Sequence, residues 1–204
     1  MSYENGIGFV DRSPESDYND IVGQREKNAS FRGGDAIADA PITLEEAYHG
    51  TSRLLQVGGQ KIKVTIKPGT PDLQILRIPG KGTPGYNGGA PGDLLINVKI
   101  LPHSVYERRN NDLHRAVPVE LYTALLGGTV HVKSLKDAVN LKIPAETGNG
   151  QVLKMIGLGM PVFGHKEKFG DLYARVEIQI PKNLNSNERD LFGKLQEIRM
   201  DRRK

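Results

Sequence analysis

A chain of 204 residues with 37% hydrophobic and 25% charged side chains has room for one large soluble domain or two small ones. Its 28 basic and 24 acidic residues leave a net charge of only +4, interleaved along the chain apart from the tail "RMDRRK", which argues against a nucleic-acid binder with a basic stripe. The absence of cysteine excludes disulfides and cysteine-ligated zinc, and suits a reducing compartment.

No stretch reaches the run of about 18 apolar residues that a membrane span needs. The N-terminus "MSYENGIGFVDRSPESDYND" lacks the apolar core of a signal peptide, so the expected location is cytoplasmic. Gly 24 and Pro 12 favour turn-rich β structure, and aromatic content of 6% without tryptophan points to two small cores.

In chain order, residues 1–36 carry Gly, Ser, Asp, Asn and Arg with few paired hydrophobes, and read as a flexible leader. From Pro41, "ITLEEAYHG" predicts a short helix with Thr43 as N-cap, Glu46 as its capping-box partner and Gly50 as the stop. "SRLLQVGGQKIKVTI" predicts a hairpin turning at Gly58-Gly59, in which Ile62, Val64 and Ile66 alternate with polar residues. "LQILRI" and "DLLINVKI" are the third and fourth strands. The order then repeats: "VELYTALLGG", "TVHV", "AVNLKI", "QVLKMI" and "DLYARVEIQI".

Ala47 and Ala124, Gly50 and Gly127, and Ile66 and Ile143 are each 77 residues apart, and the offset reaches 78 at Asp93 and Asp171. The match extends to "GTPDLQILRIPGKG" and "ETGNGQVLKMIGLG", which share Thr70/Thr147, Gln74/Gln151, Leu76/Leu153, Gly80/Gly157 and Gly82/Gly159. Arg77 and Lys154 keep a positive charge. Two copies of a turn, a strand and a glycine pair describe a duplicated structural module, with a boundary near "ERRNNDLH". The last element, "NSNERDLFGKLQEIR", predicts a helix capped by Ser186, with Leu191, Phe192, Leu195 and Ile198 on one apolar stripe.

Catalytic signals are missing. "GKGTPG" has spaced glycines, but the Pro84 and "YNGGAPG" that follow cannot start the helix that a dinucleotide site requires. The five histidines form no metal-ligand spacing, and no serine elbow or phosphate-loop lysine is present. Asp93 and Asp171 follow glycine at equivalent strand starts, which predicts a turn-holding role. The chain reads as a non-enzyme with no catalytic residue, no metal and no cofactor.

Over about Asp35 to Arg199 the motifs resemble the C-terminal substrate-binding region of DnaJ-family co-chaperones. The residues that carry the resemblance are "LEEAYHGTSRLLQVGG", "GGAPGDLLINVKILPH", "DLHRAVPVELYTALLGGTVHV", "IPAETGNGQVLKMIGLGMP" and "GDLYARVEI". The resemblance implies a mainly β fold of two tandem similar β-sandwich domains, each with one short helix, and a C-terminal dimerisation helix. The expected boundaries are a leader at 1–36, a client-binding first domain at 37–110, a second domain at 111–182 and the helix and tail at 183–204. No His-Pro-Asp tripeptide of a J-domain and no cysteine-rich zinc module occur in these residues, so the zinc-free subclass similar to curved-DNA-binding protein A is the nearer likeness. Leu73 stands where the family turn usually has glycine, as the second copy does at Gly150, and puts that turn in question.

The resemblance further implies a client groove lined by Ala38, Ala40, Leu55, Val57 and Ile96, with Arg53 at its rim. Leu55 and Val57 share a strand face by the period of two. The ordinary alternative is that these are core residues. The implied partners are unfolded polypeptides, a DnaK-type chaperone ATPase and a second copy of the chain through Leu191, Phe192, Leu195 and Ile198. The competing function is a structural or assembly protein that uses the tandem β domains for one dedicated partner.

Overall fold

The computed structural model describes residues 29–57 and 59–202. Most of the expected leader and Gly58 of the expected hairpin turn lie outside the described residues. By spatial proximity the chain separates into two compact units, each drawn from several stretches. One holds the described residues through Ala40, with Leu55–Ile62 and Leu73–Lys99; the other holds Pro41–Leu54, Lys63–Asp72 and Ile100 onward. The fold is mainly β.

The first copy runs β1 (Ala36–Ile42), α1 (Leu44–His49), β2 (Thr51–Val57), β3 (Gln60–Ile66), β4 (Ile75–Ile78) and β5 (Leu94–Ile100). β2 pairs with β3, and β5 lies between β1 and β4. On β5 the alternation is complete: Leu94, Ile96 and Val98 are fully buried and the residues between them are not. Leu76 on β4 stands opposite Ile96, and Ile78 opposite Leu94. The helix start follows its sequence signal. Thr43 Oγ1 accepts the Glu46 N–H at 3.2 Å and the Glu46 carboxylate accepts the Thr43 N–H at 2.9 Å.

The second copy follows β6 (Glu107–Arg109) and runs β7 (Asp112–Glu120), α2 (Leu121–Leu126), β8 (Gly128–Lys133), β9 (Ala138–Ile143) and β10 (Val152–Met155). A hairpin of β11 (Pro161–Val162) and β12 (His165–Phe169) then precedes β13 (Leu172–Gln179). The sheet order is β10-β13-β7-β6, with β7 parallel to β13 and β6 antiparallel to β7. Val117, Val119, Ala124, Leu141, Ile143, Leu172, Ala174 and Val176 are buried, in the positions that Ala40, Ile42, Ala47, Val64, Ile66, Leu94, Ile96 and Val98 hold in the first copy.

One turn built twice explains the duplicated stretch. Asp93 accepts the Gly80 N–H at 2.9 Å and a bond from Arg77 Nε at 2.7 Å, with Arg32 at 3.1 Å. Asp171 accepts the Gly157 N–H at 2.8 Å and pairs with Lys154 at 2.7 Å. The Gly80 N–H and the Arg77 guanidinium hold the Asp93 carboxyl below its ordinary range; Lys154 and the Gly157 N–H do the same for Asp171. Each aspartate also donates its own N–H, Asp93 to Asp35 and Asp171 to Asp112, both at 2.7 Å. Gly82 and Gly159 are needed for space: a Cβ would fall 2.6 Å from the Asp93 carbonyl oxygen in one copy and 2.5 Å from the Gly170 carbonyl carbon in the other.

The turn that Leu73 put in question forms. Leu73 adopts φ 59° and donates its N–H to Val98 at 2.9 Å; Gly150 adopts φ 81° and donates to Val176 at 2.8 Å. Leucine therefore takes the left-handed conformation that glycine takes in the second copy, with a steric penalty that the paired backbone outweighs.

Two readings are corrected. The strands β1 and β7, and with them β6 and the β11–β12 hairpin, are absent from the sequence reading. "AIADAPI" and "DLHRAVPVE" mix alanine, charge and proline, and only sheet pairing makes them strands. The last helix, α3 (Ser186–Asp201), is capped by Asn185, not Ser186. Asn185 Oδ1 accepts the Glu188 N–H at 2.9 Å, and the Glu188 carboxylate accepts the Asn185 N–H at 2.8 Å. Asparagine reaches the third N–H of the helix from one residue earlier than the serine.

Candidate functional site

The residues expected to line a groove are spread over three strands of the first copy. Ala38 and Ala40 lie on the inward-facing register of β1, Ile96 on that of the adjacent β5, and Leu55 and Val57 on the less exposed face of β2. Their burial is unequal. Ala40 is 1% and Ile96 0% exposed, whereas Ala38, Leu55 and Val57 are half-buried. The first pair are core residues in the free chain; the other three keep surface that a ligand could cover.

Arg53 precedes Leu55 by two residues on β2 and shares its half-buried register. It forms a 2.6 Å ion pair with Glu46, whose carboxyl is held below its ordinary range first by the Thr43 N–H and then by this guanidinium. Arg53 Nε is buried without a hydrogen-bond partner among the described residues. A buried donor left unpaired costs about 1–3 kcal/mol.

The second copy shows what the same positions look like when closed. A shift of 77 residues along β1 and β2 carries Ala38 to Arg115, Ala40 to Val117, Leu55 to Val132, Gln56 to Lys133 and Val57 to Ser134. Val117 and Val132 are each 1% exposed and Ser134 is 4% exposed. Arg115 Nη1 on β7 donates to the Lys133 carbonyl on β8 at 2.7 Å and lies 3.2 Å from the Tyr106 hydroxyl. Tyr106 donates its own hydroxyl to that carbonyl, and its ring lies under the Arg115 guanidinium at 5.3 Å. Tyr106 is 8% exposed. The segment leading to it is fixed by His103, whose Nδ1 accepts the N–H groups of Val105 and Tyr106 at 3.0 Å each.

The sheet edges differ in the same sense. In the second copy β6 pairs along the outer edge of β7, with Arg108 opposite Leu113 and Arg109 opposite Asp112. In the first copy β1 is the terminal strand of its sheet among the described residues. Tyr106 and Arg115 escaped the sequence reading. The offset that aligns the copies sets Arg115 against Ala38, and that contrast of size and charge was the available signal.

The stripe on α3 divides in two. Phe192 stacks on Tyr122 of α2 with ring centroids 6.3 Å apart. Leu191, Leu195 and Ile198 remain 59%, 57% and 54% exposed and, with Tyr122 and Phe192, line an apolar depression of about 420 Å³. Among the described residues no group of three or more His, Cys, Asp or Glu side chains is placed to hold a metal ion. No helix among them is long and apolar enough to cross a membrane.

The family described as DnaJ C terminal domain matches residues 37–181. Among curated proteins the chain is similar to "Chaperone protein DnaJ 2" of Thermus thermophilus, with 38% identity over 168 residues, which is 82% of this chain and 58% of that protein. It is also similar to "Chaperone protein DnaJ" of Treponema denticola, with 42% identity over 141 residues, 68% of this chain and 36% of that protein. The chain therefore spans less than two thirds of the length of these relatives.

Proposed function

This chain belongs to the DnaJ C-terminal domain family, and from that premise we propose that its first copy binds extended segments of unfolded polypeptide. The observation that carries the proposal is the contrast at one position: Ala38 stands where Arg115 closes the second copy. A client strand adds to the free edge of β1 through main-chain hydrogen bonds, and its alternate apolar side chains rest on Ala38, Leu55 and Val57. Ala40 and Ile96 form the floor.

The activity is binding rather than catalysis, in a cytoplasmic chain of the zinc-free subclass. A DnaK-type ATPase receives the client, and these 204 residues, which contain no His-Pro-Asp tripeptide, hold clients without stimulating it. The copies act as two domains that meet near residues 105–114. The chain is a homodimer through the exposed part of the α3 stripe, where burial of Leu191, Leu195 and Ile198 contributes roughly 4–8 kcal/mol before association costs. Two grooves on one dimer raise the affinity for a long client through effective concentration. Light scattering checks this: Leu191→Asp with Leu195→Asp yields a folded monomer, whereas a monomeric parent chain removes the dimer from the proposal.

Leu55→Asp tests the groove. The residue is half-buried, so the variant retains its β circular dichroism and its cooperative melt. Its affinity for an unfolded client falls at least tenfold, and it no longer suppresses client aggregation. A folded variant with parental affinity moves the binding site elsewhere.

A further inference from the structure

The two copies share a fold, yet Leu55 and Val57 keep exposed surface where Val132 and Ser134 are buried, and the contacts at the buried positions come from a segment outside the repeat. Tyr106 lies just before β6 and reaches the Lys133 carbonyl on β8, while Arg115 on β7 bridges to the same atom from above the ring. These contacts span the β7–β8 cleft, whose walls correspond to β1 and β2 of the first copy. β6 meanwhile pairs along the outer edge of β7. An edge strand with an aromatic side chain directed into the cleft is what a bound client would supply.

We propose that Tyr106–Arg109 is a built-in occupant of the second copy's cleft, locked in by Arg115, and that this lock restricts client binding to the first copy. The proposal rests on the reading of the first copy as the client-binding one. Each part has a defined task. β6 satisfies the Asp112–His114 end of the β7 edge, which would otherwise accept a foreign strand. Tyr106 is 8% exposed and its ring lies under the Arg115 guanidinium, so its apolar surface is withdrawn from solvent. Arg115 and the Tyr106 hydroxyl both donate to the Lys133 carbonyl, which is thereby engaged before a client N–H can reach it. His103 holds the entry to the segment through two backbone bonds and sits 3.0 Å from Glu45 Oε1, so the occupant is anchored before it reaches the cleft.

The Arg115→Ala change gives the second copy the residue that the first carries at Ala38, and Tyr106→Ala removes the ring. The probe is a fluorescein-labelled nine-residue peptide with leucine at alternate positions, followed by anisotropy and by calorimetric stoichiometry. The parent chain binds one peptide per chain, the Tyr106→Ala/Arg115→Ala variant binds two, and Leu55→Asp binds none. Adding Leu55→Asp to the double variant leaves one. A folded double variant that still binds one peptide overturns the lock while leaving the first-copy reading intact; Leu55→Asp with parental affinity overturns that reading instead. If the double variant loses its cooperative melt, Ala38→Arg decides the matter from the other side. Arginine at this half-buried position reproduces the closure and weakens peptide binding at least tenfold in a folded chain, and parental affinity there overturns the proposal.

Discussion

The two copies are one fold with two degrees of closure. Ile42, Ala47, Ile66 and Val98 have buried counterparts at Val119, Ala124, Ile143 and Val176, so the pattern of burial is shared. Ala38, Leu55 and Val57 are half-buried, whereas Val132 and Ser134 are buried and Arg115 is bonded across the cleft. Volume is exchanged within the core, Ala40 for Val117 and Ile96 for Ala174, because a void or an overlap is felt by every neighbour and must be offset there. A rim position can change from methyl to guanidinium if solvent or a ligand takes up the difference.

The strongest way to break the comparison is to charge its floor. Ile96→Asp places a carboxylate at a position with 0% exposure and no cation among its strand partners, which unfolds the first copy or weakens it by about 3–5 kcal/mol. Chemical denaturation monitored by circular dichroism should separate it clearly from Leu55→Asp. If the two behave alike, burial does not separate Leu55 from Ile96.

Next comes a swap of turn residues. Gly69 and Glu146 occupy equivalent positions with φ 78° and 60°, yet a Cβ on Gly69 would lie 2.4 Å from the Pro161 carbonyl oxygen. Gly69→Ala therefore combines strain with a backbone clash and destabilises by about 2–4 kcal/mol, while Glu146→Ala changes stability by less than about 0.5 kcal/mol. Equal melting shifts for the pair would contradict this.

Acid sharpens the comparison further. Asp93 and Asp171 both have carboxyl groups held below the ordinary 3.8, so each stabilises the fold fully above that value. That stability is lost as pH falls below 3.8 and through the depressed folded values. Asp93 has two arginine partners and Asp171 one lysine, so Asp93→Asn should flatten the acid limb of a pH–stability profile more than Asp171→Asn. An unchanged acid limb in Asp93→Asn would remove the turn as its source. The smallest effect belongs to Leu73→Gly, which relieves the left-handed leucine and raises stability by about 0.5–1 kcal/mol in a thermal melt, while Gly150→Leu lowers it by about 1 kcal/mol. A lower melting temperature for Leu73→Gly would mean that the leucine side chain contributes more than its backbone strain removes.

Local physics determined much of this protein from sequence alone. The α1 capping box, the alternation along β5 and the paired aspartate turns depend on residues a few positions apart or on repetition at a fixed offset, and both can be read from letters. The family resemblance rested on the same repeated motifs. The strands β1 and β7 could not be read in this way, because their alanine, proline and charged residues become β structure only through pairing with β5 and β13. Tyr106 was equally silent: a tyrosine in a linker has no period, and its role appears only when the chain returns Lys133 and Arg115 to either side of it. Closure of a cleft depends on three segments meeting, and only the tertiary structure decides which segments meet.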